Sequence, residues 1–176
     1  MGYLYEGPIF KLRQDTITLP NGKEAVRDII EHNGATAIIA VADDGRLVLV
    51  RQFRYGAGCD MLEIPAGKLD PGEDPEECAL RELAEETGYR AARIRKVMDL
   101  CMIPAWSTER VGLYLAEGLV KGETQLDDEE FVEVELYSVK ELLGMIDSGE
   151  ISDSKTVLAV FYYAGRLGLF DNSPTG

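Results

Sequence analysis

The sequence predicts one mixed α+β domain with a small β module at its N-terminus, and three observations lead to this prediction. A chain of 176 residues can bury one substantial core but not two large ones. Short β-branched runs separated by Gly, Asn and Pro turns alternate with helical patterns. The chain is 45% hydrophobic and 28% charged, and no apolar run approaches the roughly 20 residues that a membrane helix needs, so no membrane partner is expected.

The N-terminal segment is predicted to be a small antiparallel β module. Alternating β-branched residues flank a Pro-Asn-Gly turn signal at residues 20–22, which predicts a hairpin over residues 9–31. At residue 34 the pattern changes to a fully apolar strand, so the module is expected to span residues 1–34. Because so small a sheet is marginally stable alone in water, it is expected to pack on the main domain or on a second copy of the chain.

The main domain is expected to span residues 35–170, followed by a flexible tail over residues 171–176. Two buried strands flank an Asp-Gly turn at residues 44–45. Further β-branched and aromatic runs predict strands, and periodic apolar residues predict helices. The predicted strands cover residues 61–65, 94–102, 111–116 and 131–137, and the predicted helices cover residues 75–87, 139–148 and 155–167.

Charge and composition restrict the possible functions. The formal net charge is −14, so no nucleic-acid partner is expected, because affinity for nucleic acid comes largely from Lys and Arg. His32 is the only histidine, and the three cysteines lack metal-binding spacing, which argues against a histidine or thiolate metal site. The first residues show no signal-peptide pattern, so a cytoplasmic location is expected.

The helix expected between the N-cap residue Asp74 and the stop residue Gly88 carries an unusual concentration of acid. Glu82, Glu85 and Glu86 fall on one arc of this helix, close to its C-terminal end. Like charges repel at this spacing, and negative charge there opposes the helix dipole. A hard cation would relieve the repulsion, and carboxylate oxygens suit Mg²⁺ or Mn²⁺. The alternative is a solvated acidic stripe.

The same stretch resembles the Nudix box, the signature of the Nudix hydrolase family. Gly67, Glu73 and the run RELAEETGY at residues 81–89 match every fixed position of the box, and so long a pattern is highly specific. The resemblance implies an α/β/α sandwich with a mixed sheet and dependence on divalent metal. It also implies hydrolysis of a diphosphate that links a nucleoside to another moiety.

Shorter segments resemble the ADP-ribose pyrophosphatase branch of that family. They are VRQFRY, LEIPAGKLD, EHNGA and a proline at position 104, 15 residues beyond Tyr89. This resemblance implies hydrolysis of ADP-ribose to AMP and ribose 5-phosphate. Two alternatives stay open: hydrolysis of another nucleoside diphosphate sugar or a dinucleotide, and a non-catalytic ligand-sensing module. The loop IPAWSTER differs from the Ser-Pro-Gly turn common in relatives, which bears on the choice of substrate. The intact box argues against the ligand-sensing module.

The resemblance implies metal ligands at Glu82, Glu85, Glu86 and the backbone carbonyl of Ala66, for two or more ions of Mg²⁺ or Mn²⁺. Glu85 and Glu86 thereby belong to the catalytic set. Arg81 lies near Glu85 on the helix, where it can hold a glutamate in a ligating orientation; a surface ion pair is the alternative.

A glutamate outside the box is also implied, one that orients or deprotonates the attacking water. The segment LDDEEFVEV supplies the candidates. Glu130 matches the family position best, with Asp128 and Glu129 as the other choices. An acidic solvated loop is the alternative.

Four further residues are candidates for binding the substrate. Arg27 and Arg54 are candidate phosphate or ribose ligands, because guanidinium groups fit phosphate, and an ordinary surface residue is the alternative for each. Trp106 is a candidate for stacking on adenine, although it can equally be a packing anchor. The resemblance places Glu109 near the terminal ribose, with an ordinary strand-edge acid as the alternative.

The resemblance also predicts a homodimer in which the N-terminal module crosses to the partner and contacts its substrate. The Asn-Gly pair at residues 33–34 would then be the hinge, and Arg27 would contribute to the other chain's site. A monomer whose hairpin folds back on its own domain is the alternative.

Overall fold

The computed structural model describes residues 2–123 and 131–170, which form two β-sheets and three helices. The strands are β1 (Tyr3–Glu6), β2 (Lys11–Thr18), β3 (Glu24–Glu31), β4 (Ala35–Val41), β5 (Leu47–Arg54), β6 (Cys59–Glu63), β7 (Ala66–Lys68), β8 (Tyr89–Cys101), β9 (Arg110–Lys121) and β10 (Glu133–Tyr137). The helices are α1 (Pro75–Thr87), α2 (Val139–Asp147) and α3 (Ser154–Arg166).

The N-terminal sheet has three antiparallel strands in the order β1-β2-β3. β2 and β3 form the predicted hairpin, whose turn is closed by a hydrogen bond of 2.7 Å from the Leu19 amide to the Lys23 carbonyl. The sequence did not predict β1. It is a run of four residues that joins β2 across a register shift, so it lacks the long alternation by which strands are recognised in a sequence.

The main sheet has seven strands, with the order β10-β5-β4-β9-β8 and with β6 and β7 paired to β5 and β4. β4 and β9 are parallel and the other pairs are antiparallel, which confirms the predicted mixed sheet. The sheet separates two layers of helix, because alternate residues of β4 enter different cores. Ile38 packs with Leu83 of α1, whereas Ile39 belongs to the core that contains Leu142 of α2 and Ala159 of α3.

Both ends of α1 are fixed by caps at the predicted positions. The Asp74 carboxylate accepts hydrogen bonds from the Glu76 and Glu77 amides at 2.9 and 3.2 Å. At the other end Gly88 adopts a left-handed conformation with φ of 72°, and its amide donates to the Ala84 carbonyl at 2.9 Å. These caps fix the direction in which each glutamate of the helix points.

Apart from the short strand β7, which was not predicted, the remaining elements lie close to their predicted positions. β8 and β9 are longer than predicted. Their additional residues mix exposed, half-buried and buried positions and do not show a continuous apolar pattern. α3 begins one residue earlier, after its N-cap residue Asp153. None of the helices in the described ranges has the length and apolar character needed to cross a lipid bilayer. The predicted tail over residues 171–176 lies outside the described residues.

Candidate active site

A cleft of about 520 Å³ lies where β4, β5, β7, α1 and the N-terminus of α3 meet. Acidic and cationic side chains share this cleft. Glu82 and Glu86 reach it from α1, while Arg54 and Lys155 reach it from β5 and α3. It therefore offers groups that suit both a metal cation and an anionic ligand.

The acidic side chains of α1 pack against the backbone of β7. Glu86 is 5% exposed, and one of its carboxylate oxygens accepts a hydrogen bond of 3.0 Å from the Ala66 amide. Glu82 lies over Gly67, where the Cβ atom of any other residue would stand 1.8 Å from the Glu82 carboxyl carbon. Only glycine at position 67 permits this close approach.

Arg81 forms hydrogen bonds with three carboxylates, two on α1 and one in the loop before it. Its guanidinium donates to both oxygens of Glu73, at 2.8 and 3.0 Å, and to Glu82 and Glu85 at 2.8 and 2.9 Å. Glu73 also accepts from the Asp70 amide at 2.9 Å, so the loop before the helix is tied to the helix face. The pairing with Arg81 lowers the pKa of Glu73 to about 2, and the pairing with Glu73 raises the pKa of Arg81. We call Glu73, Arg81, Glu82, Glu85 and Glu86 the α1 cluster.

The α1 cluster fits a hard divalent cation by its chemistry. Its potential metal ligands are carboxylate oxygens. It contains four carboxylates and one guanidinium, so it carries an excess of negative charge. In the parts of the chain that the structure describes, no three acidic, histidine or cysteine side chains converge as a metal site. Arg81 engages an oxygen of Glu82 and one of Glu85 instead, so a cation would share these oxygens with the guanidinium or replace it.

A second charged cluster surrounds Glu63. This carboxylate is 2% exposed and accepts two hydrogen bonds from Arg54, at 2.6 and 3.0 Å, and another from Lys155. Lys155 also donates to Asp153 at 2.9 Å. Burial raises the pKa of the Glu63 carboxyl, but the pairing with Arg54 and Lys155 outweighs burial and holds that pKa below its usual range. We call Arg54, Glu63, Asp153 and Lys155 the Glu63 cluster.

The structure brings about half of the candidate site residues to the cleft. Those that line it are Ala66, Glu82, Glu86, Arg54 and Glu109. Arg81 and Glu85 lie on the same helix and reach the cleft indirectly, through the hydrogen bond from Arg81 to Glu82.

The other candidates lie away from the cleft of their own chain or outside the described residues. Arg27 is exposed on β3 and donates to the Val26 carbonyl at 2.9 Å. Trp106 is 45% exposed, and its carbonyl accepts from the Ile30 amide at 2.8 Å. Glu130, like Asp128 and Glu129, falls in residues 124–130, outside the described ranges.

Sequence reasoning missed Glu63 and Lys155, although each carried a signal. Glu63 is a charged residue within the apolar run MLEIPA, and its burial requires a partner. Lys155 lies in the first turn of α3, where a positive charge opposes the helix dipole. Two locally unfavourable charges of opposite sign are explained by their contact with each other.

Comparisons with known proteins follow the division of the fold. The NUDIX domain family model matches residues 31–160, and the model of the nucleoside diphosphate sugar hydrolase N-terminal domain matches residues 3–30. The chain is 41% identical over 161 residues to the ADP-ribose pyrophosphatase of Bacillus subtilis (strain 168), covering 90% of this chain and 87% of that protein. It is 42% identical, with the same coverage, to the methanol dehydrogenase activator of Bacillus methanolicus.

A solved structure described as an ADP compounds hydrolase superimposes on the chain with a TM-score of 0.82. The alignment covers 95% of this chain and 91% of that one, at 23% sequence identity. This similarity confirms the predicted fold class, an α/β/α sandwich with an additional N-terminal sheet.

Proposed function

Because the chain belongs to the NUDIX domain family, we propose that it hydrolyses the diphosphate of ADP-ribose to AMP and ribose 5-phosphate. The observation that carries this proposal is the cleft, in which the carboxylates of Glu82 and Glu86 and the cations Arg54 and Lys155 line one cavity. A diphosphate needs both, because its oxygens bind cations and its hydrolysis needs an activated water. The Bacillus subtilis relative, named as an ADP-ribose pyrophosphatase, supports the choice of substrate.

The α1 cluster is proposed to hold the divalent cations. Glu82, Glu85 and Glu86, with the carbonyl of Ala66, would bind two or more ions of Mg²⁺ or Mn²⁺. Such ions make a bound water acidic enough to attack phosphorus and neutralise the diphosphate oxygens. Arg81, which donates to Glu82 and Glu85, orients these carboxylates.

The remaining candidates are proposed to act on the substrate and the water. Arg54 binds the diphosphate from its position in the cleft, and Glu109, which also lines the cleft, accepts from the terminal ribose. Trp106 is proposed to stack on adenine. Glu130, or Asp128 in its place, is proposed to position the attacking water.

We propose that the working unit is a homodimer built through the N-terminal sheet. Of the described residues, none before Ala35 belongs to either buried core, whereas Leu4, Tyr5 and Val26 are exposed on this sheet. A sheet that buries little of its own apolar surface is stabilised by a neighbour. Exchange between chains would bring Arg27 of the partner subunit to the substrate.

Light scattering of the purified protein at micromolar concentration tests this assembly. We expect a mass of twice the 19.4 kDa chain, since the module needs the second copy to bury its surface. A fully active species with the mass of one chain would rule the dimer out.

The cytoplasm is the proposed location. The three cysteines are unbridged in the structure, with Cys59 and Cys101 exposed and Cys78 buried. Free exposed thiols fit a reducing compartment.

A screen of phosphate release tests the proposed reaction. The purified protein is incubated with Mg²⁺ and ADP-ribose, a nucleoside diphosphate mannose or a dinucleotide, together with a phosphomonoesterase that cannot attack an intact diphosphate. We expect the highest kcat/KM for ADP-ribose. A protein that cleaves another compound but not ADP-ribose would instead be a hydrolase for other nucleoside diphosphate sugars, which the match of residues 3–30 makes the second candidate.

A further inference from the structure

We propose that Glu63 is a positioning residue, which holds the guanidinium of Arg54 in the orientation that binds the diphosphate. The inference rests on the proposed function for the identity of the ligand. It assigns a role to a buried charge that the hydrolytic reaction itself does not use.

The burial of Glu63 is the first reason. A carboxylate at the end of β6 that is 2% exposed has lost nearly all contact with water. Such a charge persists only when several donors replace the water. Arg54 and Lys155 supply three hydrogen bonds, so the carboxylate is fixed in one position.

The geometry of the pair is the second reason. A guanidinium has five N–H groups in one plane, on Nε, Nη1 and Nη2. Glu63 accepts from Nε at 2.6 Å and from Nη2 at 3.0 Å, which leaves both N–H groups of Nη1 and one of Nη2. The Arg54 side chain is 41% exposed and lines the cleft, so these three N–H groups can donate to phosphate oxygens while Glu63 keeps its own two bonds.

The support behind Glu63 is the third reason. Lys155 donates to Glu63 and, at 2.9 Å, to Asp153, whose other oxygen caps α3 by accepting from the Thr156 amide at 2.9 Å. The Thr156 hydroxyl accepts in turn from the Ile64 amide at 2.9 Å, so the residue next to Glu63 is also tied to the helix. Glu63 is therefore held through both its side chain and its backbone. Because its carboxylate is fixed, it restricts the orientation of the Arg54 guanidinium.

The test is a double-mutant cycle on the binding of ADP, a soluble diphosphate, measured by calorimetry with Mg²⁺ on the full chain. The variants are Glu63→Gln, Arg54→Gln and the double substitution. Alone, Glu63→Gln is expected to weaken binding by about tenfold, the usual scale for a supporting residue. In the Arg54→Gln background the same change should weaken binding by less than about twofold, because the group that it positions is already gone.

Two further variants separate positioning from charge and from general stability. Glu63→Asp keeps the charge but shortens the side chain, and it is expected to weaken ADP binding as well. Glu135→Gln is the control. It breaks the ion pair of 2.5 Å between the more exposed Glu135 and Arg51, which lies on β5 like Arg54. Neither residue lines the cleft, so ADP binding should not change.

The outcomes distinguish this inference from the proposed reaction. A coupled cycle in a protein that does not hydrolyse ADP-ribose would refute the reaction and leave the role of Glu63 intact. Normal hydrolysis combined with unchanged ADP binding in Glu63→Gln and Glu63→Asp would overturn the inference. Equal weakening by Glu63→Gln in both backgrounds, or no ADP binding by the unmodified chain, would overturn it too.

Discussion

The α1 cluster and the Glu63 cluster share one cleft but are built in different ways. The α1 cluster comes from a single helix and the loop before it, and it sets four carboxylates against one guanidinium. The Glu63 cluster joins β5, β6 and α3 and balances two carboxylates with two cations. A cluster with an excess of negative charge can bind a cation from solution, whereas a cluster whose charges balance needs no further ion. We infer that the first binds metal and the second presents an arginine.

The largest effect is expected from removing one charge of the α1 cluster. Glu86→Gln keeps the size of the side chain and an oxygen that can accept from the Ala66 amide, but it loses the charge that binds a cation. Turnover should fall by about a thousandfold, or about 4 kcal/mol in activation free energy. Steady-state kinetics at saturating Mg²⁺ measure this, with the exposed Glu76→Gln of the same helix as the control. Near-normal turnover in Glu86→Gln would remove Glu86 from the metal site.

The Glu63 cluster is expected to affect stability in a pH-dependent way. The pKa of Glu63 is lower in the folded chain than in the unfolded chain, so its ion pairs stabilise the fold above the unfolded pKa of about 4.3. That contribution is lost as the pH falls through the folded pKa. Glu63→Gln should therefore lower the free energy of unfolding by about 3 kcal/mol at pH 7 and by progressively less as the pH falls below that unfolded pKa.

Urea unfolding of both proteins at a series of pH values measures this difference. A cost that stays constant down to pH 3 would show that the charge of Glu63 does not contribute to stability.

A smaller effect is expected from the backbone under the α1 cluster. Gly67→Ala would place a Cβ atom 1.8 Å from the Glu82 carboxyl carbon, so the carboxylate must move. We expect kcat/KM to fall by about tenfold. The matched control is Gly144→Ala in α2, where a Cβ meets nothing within 4 Å; it should stabilise the fold by about 0.5–1 kcal/mol and leave activity unchanged. Equal activity of the two variants would contradict the role of this close approach.

The two clusters also differ in how far the sequence predicts them. The arc of Glu82, Glu85 and Glu86 follows from the helical period alone, because all three residues belong to one capped helix. Glu63 and Lys155 are 92 residues apart, and no periodicity indicates that the end of β6 meets the first turn of α3. They meet because β6 pairs with β5 in the main sheet and α3 packs in the core that covers one face of that sheet.

The same distinction applies to the fold. Helix ends were predicted to within a residue or so because caps are local signals, as at Asp74 and Gly88. β1, β7 and the outer parts of β8 and β9 were missed because their pairing depends on neighbouring strands rather than on their own pattern. A sequence therefore predicts best the features that depend on residues close together in the chain, such as helix caps.

Direct titration with Mn²⁺ tests whether the carboxylates of α1 bind a cation. Electron paramagnetic resonance counts the free ion in the presence of the unmodified chain, Glu86→Gln and Glu76→Gln. We predict that the unmodified chain and Glu76→Gln bind Mn²⁺ equally, and that Glu86→Gln loses an ion or binds it at least about tenfold more weakly. Identical titration curves for all three proteins would contradict the account.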